Sequence, residues 1–375
     1  MEDKTMKQGP FRYDQVGSLL RTKNLKQARK ALENNEISLS VYKQIERVEV
    51  AEIVNKQKAL GLKAITDGEF NREYWHYDFI SHLNGIECYV RETKGSFQGV
   101  MQKLKAYYVK DHVSFPKNHP FIDDFIYLKS LVNDDAVAKF TIPGPNMVYF
   151  TGVVNSPVFQ TQSNLLDIAA VKQDIATTYQ QAIQCFYEAG CRYLQFDDVS
   201  WGALFCESAR EQLMAQGVDP EQLVKELAEL NIESLKNKPE DMVITTHCCR
   251  GNFKSSWLYE GDYTFVQNDI FRAPFDGFFL EFDTNRAGSF APIQHLKHGK
   301  LVLGLITSKN GVLEDKQEVI RRIQEAQSYV NLDQLCLSCQ CGFSSTEDGN
   351  DLSEEEQYQK LAFVKEIADE IWQDA

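Results

Sequence analysis

The chain has 375 residues, with 40 basic against 54 acidic side chains and a net charge of −14. That balance argues against nucleic acid or an anionic membrane surface as a partner. With 43% apolar and 25% charged residues there is material for a large packed core and little for a disordered tract. No stretch reaches the roughly 18 apolar residues of a membrane helix, and the first residues lack the apolar segment of a secretion signal. A cytoplasmic protein with reduced cysteines is therefore expected.

In chain order, short apolar runs of strand type alternate with longer stretches of helical periodicity. The first run covers 13–18. A helix follows in which Val41, Ile45, Val48 and Ala51 recur at the spacing of one apolar face. The second run is 64–69. Residues 81–137 break the alternation, and within them 87–91 and 105–109 read as an added hairpin. Further runs occupy 138–145, 193–198, 243–249, 277–283, 301–307 and 334–342. The last helix opens on a capping box, Ser353 with Glu356, and Leu361, Val364, Ala368 and Ile371 line one side. Eight strands alternating with helices predict an α/β fold, one (β/α)8 TIM barrel over residues 1–375 with an inserted excursion, 81–137, between strands 2 and 3. Such an excursion belongs to the catalytic face and is expected to help cover the site.

What ends each run carries the functional signal, because barrel active sites form at the carboxyl ends of the strands. The ends read Gly17-Ser18, Asp67-Gly68-Glu69, Pro143-Gly144-Pro145, Asp197-Asp198, His247-Cys248-Cys249, Glu281-Phe282-Asp283, Thr307-Ser308 and Cys339-Gln340-Cys341-Gly342. Strand side chains alternate between faces, so His247 and Cys249 project together and can grip one ion, with Cys248 opposite. The same rule puts Cys339 and Cys341 on one face and Cys336 on the other, without choosing among them. Glu281 could add an oxygen to the His–Cys pair, and zinc accepts nitrogen, sulfur and carboxylate ligands together.

These residues resemble the cobalamin-independent methionine synthase family, specifically its catalytic C-terminal barrel. The resemblance rests on Val16-Gly17-Ser18, Asp67-Gly68-Glu69, Gln195-Phe196-Asp197, Thr246-His247-Cys248-Cys249, Phe279-Leu280-Glu281 and Cys339-Gln340-Cys341-Gly342, in the family's order. The chain has room for only one of the two barrels of full-length members, so it is more similar to the short, single-barrel branch. The resemblance implies zinc held by His247, Cys249, Glu281 and Cys341, which selects Cys341 over Cys339. It implies homocysteine contacts at Val16, Gly17, Ser18, Glu69 and Asp197, and a methyltransferase of methionine biosynthesis.

Two departures bear on the methyl donor. The family's acid, a histidine near the end of the seventh strand, falls on Thr307, whose hydroxyl cannot replace an imidazole near pH 7. The tryptophan expected after Pro143-Gly144-Pro145 is absent. The cluster Tyr74-Trp75-His76-Tyr77 offers a stacking surface, with His76 as a substitute acid. Alternatively, the donor is a methylcorrinoid, brought by a carrier protein, whose leaving group needs no proton. Methyltetrahydrofolate and a methylcorrinoid both stand as donors. Two rival functions are a corrinoid-linked methyltransferase acting on another small thiol and a noncatalytic thiol-binding homologue.

Overall fold

The computed structural model describes residues 9–93, 102–133, 135–163, 165–373 and 375. Its main sheet is parallel, curled and seven-stranded. The strands are β1 (Ala64–Ile65), β4 (Val137–Pro143), β5 (Tyr193–Asp198), β6 (Val243–Cys248), β7 (Gly277–Glu281), β8 (Lys300–Ile306) and β9 (Leu335–Cys339), neighbours in that order. Strands β5, β6, β7 and β9 are buried at every residue, as expected where helices cover the outside of a sheet and side chains fill its concave side. The remaining strands, β2 (Asn84–Thr93) and β3 (Gln102–Ser114), pair antiparallel with Glu87 opposite Tyr108, forming the expected hairpin. Among the described residues no helix is long and apolar enough to cross a membrane.

The run 13–18 departs from expectation. It makes only an isolated parallel bridge, Tyr13 to Leu337, and is not a strand. Its carbonyls are taken by side chains instead of a ladder. Lys139 donates to the Gln15 carbonyl, Gln195 Nε2 to that of Val16 at 2.7 Å, and Thr66 Oγ1 to that of Gly17 at 2.7 Å. Gly17 sits at φ +143°, and a Cβ there would lie 2.7 Å from Thr141 Cγ2, so the segment passes the sheet too closely for any other residue. Residues 13–18 thus fill the gap between β9 and β1 and bring Ser18 to the carboxyl end of the sheet.

The helix Leu39–Ala59 turns a different face inward from the one expected. Val41 and Val48 are exposed, while Tyr42, Glu46, Glu49, Val50, Ile53, Val54 and Gln57 are buried. Polar residues win these positions because they satisfy neighbouring groups: Glu49 accepts from Thr22 and Asn24, and Gln57 both donates to the Thr66 carbonyl and accepts from its amide. In the last helix, Glu354–Ile371, the capping box is formed, and Leu361, Val364 and Ala368 are buried.

Beyond the hairpin, helix Pro120–Leu131 is capped by the His119 ring, which accepts from the Phe121 amide and stacks on Phe115 at 5.0 Å. Burial pulls His119 down to about 4. The folded protein therefore keeps this ring neutral where an unfolded chain takes up a proton below about pH 6.5. Its contribution to stability is complete above about pH 6.5 and drains as the pH falls towards 4. His119→Asn retains a capping oxygen and should be less stable at pH 7 but lose less on acidification, as urea midpoints at pH 7 and 5 will show; an unchanged slope would discount the effect.

Candidate functional site

The register of β5 against β6 sets Asp197 beside His247. Asp197 Oδ1 lies 3.3 Å from His247 Nδ1, which leaves Nε2 to face the site. Asp197 is itself held by Gln195 Nε2 at 2.7 Å. A carboxylate behind one ring nitrogen fixes the tautomer and raises the basicity of the other, as in metal-ligating histidines. Burial opposes a charged His247, but the Asp197 hydrogen bond and the charges of Cys341, Asp197 and Glu281 outweigh it and push the group up to about 9.

Around Nε2 stand Cys249, Glu281 and Cys341. One ligand atom from each of the four residues lies within 4.8 Å of all the others, and all four residues are buried. The Cys249 and Cys341 sulfurs are 3.8 Å apart, too far for a disulfide. Two sulfurs at about 2.3 Å from a tetrahedral zinc would be separated by about 3.8 Å, so the pair fits the ion without rearrangement. The contact between the thiols and burial push Cys249 well up, while the same contact and nearby His247 hold Cys341 down. Glu281 Oε1 faces His247 Nε2 at 3.8 Å and accepts from the Arg250 amide at 2.9 Å. Its Oε2 pairs with Arg286 Nη2 at 3.0 Å.

The cysteines separate by face only in part as expected. Cys248 packs into the core while His247 and Cys249 line the site pocket. Cys339 and Cys341 do not share a face. Strand β9 ends at Cys339, which packs into the outer core, and the β8–β9 register shifts between Gly304 and Ile306. Beyond that break the chain turns, and Cys341 enters the pocket. Gly342 allows the turn: a Cβ there would fall 1.9 Å from Ser18 Oγ.

The pocket itself is small, about 20 Å³, and is lined by Val16, Ser18, Glu69, Asp197, His247, Cys249 and Cys341, together with Trp75, Gly342 and Ser345. Gly17 is the hinge that presents Val16 and Ser18 to it. Glu69 is held in the left-handed region, at φ +60°, directly after Gly68 at +64°. A non-glycine residue there costs about 1–3 kcal/mol, which is typical of functional positions. Glu69 Oε1 accepts from Thr141 at 2.9 Å and lies 3.5 Å from Arg72, while Oε2 is buried without a partner. Burial raises the Glu69 carboxyl and Arg72 opposes the shift.

The cover was not legible as such. The Trp75 amide donates to the Ser345 carbonyl at 3.1 Å, the Glu347 amide to Glu73 at 3.0 Å, and Tyr74 bridges antiparallel to Thr346. The loops after β1 and β9 are thus zipped over the pocket, and an amino-acid-sized ligand needs them to part. Trp75 belongs to the aromatic cluster singled out in the sequence; nothing in the sequence marks Ser345. His76 is outside the pocket lining, between Trp75 and Tyr107, with a buried unpartnered Nδ1 and burial pulling it down to about 4. Thr307 is also outside that lining; its amide donates to Glu314 at 2.7 Å and its hydroxyl accepts from the Lys309 amide at 3.4 Å. A separate cavity of about 890 Å³, walled by Phe205, Arg210, Phe265 and Arg286, meets the four-residue group through Arg286, which pairs with Glu281.

Comparison with known proteins adds relatives of the same architecture. A sequence family described as "Cobalamin-independent synthase, Catalytic domain" matches residues 13–369. The uncharacterized protein YxjG of Bacillus subtilis (strain 168) is 43% identical over 369 residues, 98% of this chain and 96% of its own length. A provisionally assigned vitamin-B12 independent methionine synthase from Listeria monocytogenes is 42% identical, with a TM-score of 0.77 over 97% of this chain and 99% of that one. A B12-independent methionine synthase from Shewanella sp. W3-18-1, solved with selenomethionine, shares the fold at 17% identity and a TM-score of 0.69, over 95% of this chain and 96% of that one.

The Asp197 pairing gives a direct expectation. If His247, Cys249, Glu281 and Cys341 hold zinc, Asp197→Asn should weaken its affinity by about 10–100-fold, because the orienting charge behind His247 is lost. Competition with a chromophoric chelator will measure it, and an unchanged affinity would detach Asp197 from the metal site.

Proposed function

The chain belongs to the cobalamin-independent synthase catalytic-domain family, and from that premise we propose that it transfers a methyl group to the thiol of homocysteine, giving methionine. His247, Cys249, Glu281 and Cys341 would hold zinc, for which the 3.8 Å sulfur pair and mixed donor set are suited. Bound there, zinc supplies the charge that keeps a thiol of ordinary pKa near 8.5 as its thiolate at neutral pH. The chain's own residues do the rest. Asp197 keeps His247 in the right tautomer, Ser18 and the backbone around Val16 and Gly17 bound the pocket where the substrate carboxylate would sit, and Trp75 with Ser345 shuts out water.

The observation that carries the amino-acid substrate is Glu69 Oε2, a buried carboxylate oxygen without a partner, in the same pocket as His247, Cys249 and Cys341. A buried carboxylate oxygen left without a partner is costly, and an α-ammonium would satisfy it. That the Shewanella relative was solved with selenomethionine supports a pocket of this class. In the reaction the thiolate sulfur forms a bond to the methyl carbon as the donor–methyl bond breaks, with the electron pair leaving on the donor.

The donor is methyltetrahydrofolate or a methylcorrinoid. Thr307 stands where the family's acid would be, and His76, at about 4, is neutral near pH 7 and poorly poised to give a proton. Both observations favour a donor whose leaving group needs none, which is the corrinoid, delivered by a carrier protein.

Purified protein given zinc and homocysteine should form methionine, read by mass spectrometry, with methylcobalamin or methyltetrahydrofolate. Cys249→Ser and Cys341→Ser should each lower zinc content and abolish product. Glu69→Gln should raise KM for homocysteine by about tenfold or more while leaving a thiol without an amino group little affected. Failure of both donors would sink the methyltransferase reading in favour of a thiol-binding protein.

A further inference from the structure

Of the four side chains proposed to hold the metal, His247 has a protein partner on each ring nitrogen, Asp197 at 3.3 Å and the Gln340 carbonyl at 3.2 Å, while Glu281 is the one paired with a cation, Arg286. Cys249 and Cys341 have each other at 3.8 Å, and Cys249 accepts besides from the Gly251 amide at 3.3 Å. Both Glu281 oxygens, by contrast, already have protein donors: the Arg250 amide at 2.9 Å on Oε1 and Arg286 Nη2 at 3.0 Å on Oε2. A carboxylate so partnered is not orphaned when it releases an ion, and the charge-assisted bond to Arg286 competes with any ion for Oε2.

Arg286 is firmly set for this task. Its side chain is 5% exposed, the same Nη2 pairs with Asp283 Oδ1 at 2.7 Å, and the guanidinium lies 4.9 Å from the Trp257 ring. Asp283 is anchored in turn by Lys309 at 3.6 Å. Nε and Nη1 of Arg286 have no hydrogen-bond partner, so the guanidinium's position is set by its two carboxylates and the indole. The other side of Arg286 forms a wall of the 890 Å³ cavity, which gives small solutes access to it.

We propose that Arg286 is a positioning residue: it draws Oε2 of Glu281 away from the metal centre, restricts Glu281 to weak ligation through one oxygen, and thereby makes Glu281 the position at which a thiol joins. This rests on the metal reading above and adds a residue outside the ligand set. Without Arg286 the carboxylate is free to hold the ion with both oxygens, so the metal binds at least as well and the thiol binds worse.

Cobalt-loaded protein tests this without turnover, since the visible spectrum of the ion reports both its retention and the arrival of a sulfur ligand. Arg286→Gln should keep its cobalt and need about tenfold or more homocysteine for half the spectral change, the factor expected from one charge-assisted hydrogen bond. Arg286→Lys should fall between, and Arg286→Ala should regain part of the loss with millimolar methylguanidinium admitted through the cavity. An Arg286→Gln titration matching the unmodified protein would remove the role given to Arg286. So would loss of cobalt from all three variants with their helical signal intact, since Arg286 would then build the site. Unmodified protein that takes up no cobalt would instead remove the metal reading, and this proposal with it.

Discussion

The site depends on a contact between neighbouring strands. With β5 and β6 in parallel register, Asp197 stands next to His247, and a 3.3 Å contact to Nδ1 decides which ring nitrogen looks into the pocket. A slip of one residue would turn every side chain of β6 to the opposite face, sending His247 and Cys249 outward and Cys248 in. Burial on both sides of the sheet holds that register: each slip would put the charged and sulfur-bearing residues into the outer core and the apolar ones into the pocket. The ligand set is therefore a by-product of the packing that makes the barrel.

What the sequence revealed of this arrangement follows a pattern. Strands were visible because each is a short apolar run ending in polar residues, and His247 and Cys249 were placed together by alternation alone. Where alternation stops, the reading fails. Cys341 lies past the end of β9, so parity coupled it wrongly to Cys339, and only family resemblance selected it. The 13–18 segment has a strand's composition but gives its carbonyls to Lys139, Gln195 and Thr66, partners that lie far away in sequence and near only once the fold exists. For helix Leu39–Ala59 the error has the same origin: Gln57 and Glu49 are interior residues because of particular hydrogen bonds that no periodicity announces.

The interior at the carboxyl ends of the strands is unusually polar for a core, and its charges are arranged in two groups. Glu69 lies with Arg72 on one side of the pocket, and Glu281 and Asp283 lie with Arg286 and Lys309 on the other. Isolated buried charges would be expelled or neutralised; opposed in pairs they remain and fix geometry. The strained backbone at Glu69 fits the same logic, because conformations that cost stability persist where surrounding contacts over-determine them. One oxygen of Glu69 is left over from this balance, buried without a partner on a residue that lines the pocket.

The loops that cover the pocket come from opposite ends of the chain. Ser18 accepts from Phe343, Trp75 donates to Ser345, and Cys341 completes a donor set begun at His247. A polypeptide still emerging from the ribosome has three of its four donors and an open barrel until the residues beyond 341 are released. Sealing of the pocket therefore waits on residues 341–347, long after the strands that carry His247, Cys249 and Glu281 have been made.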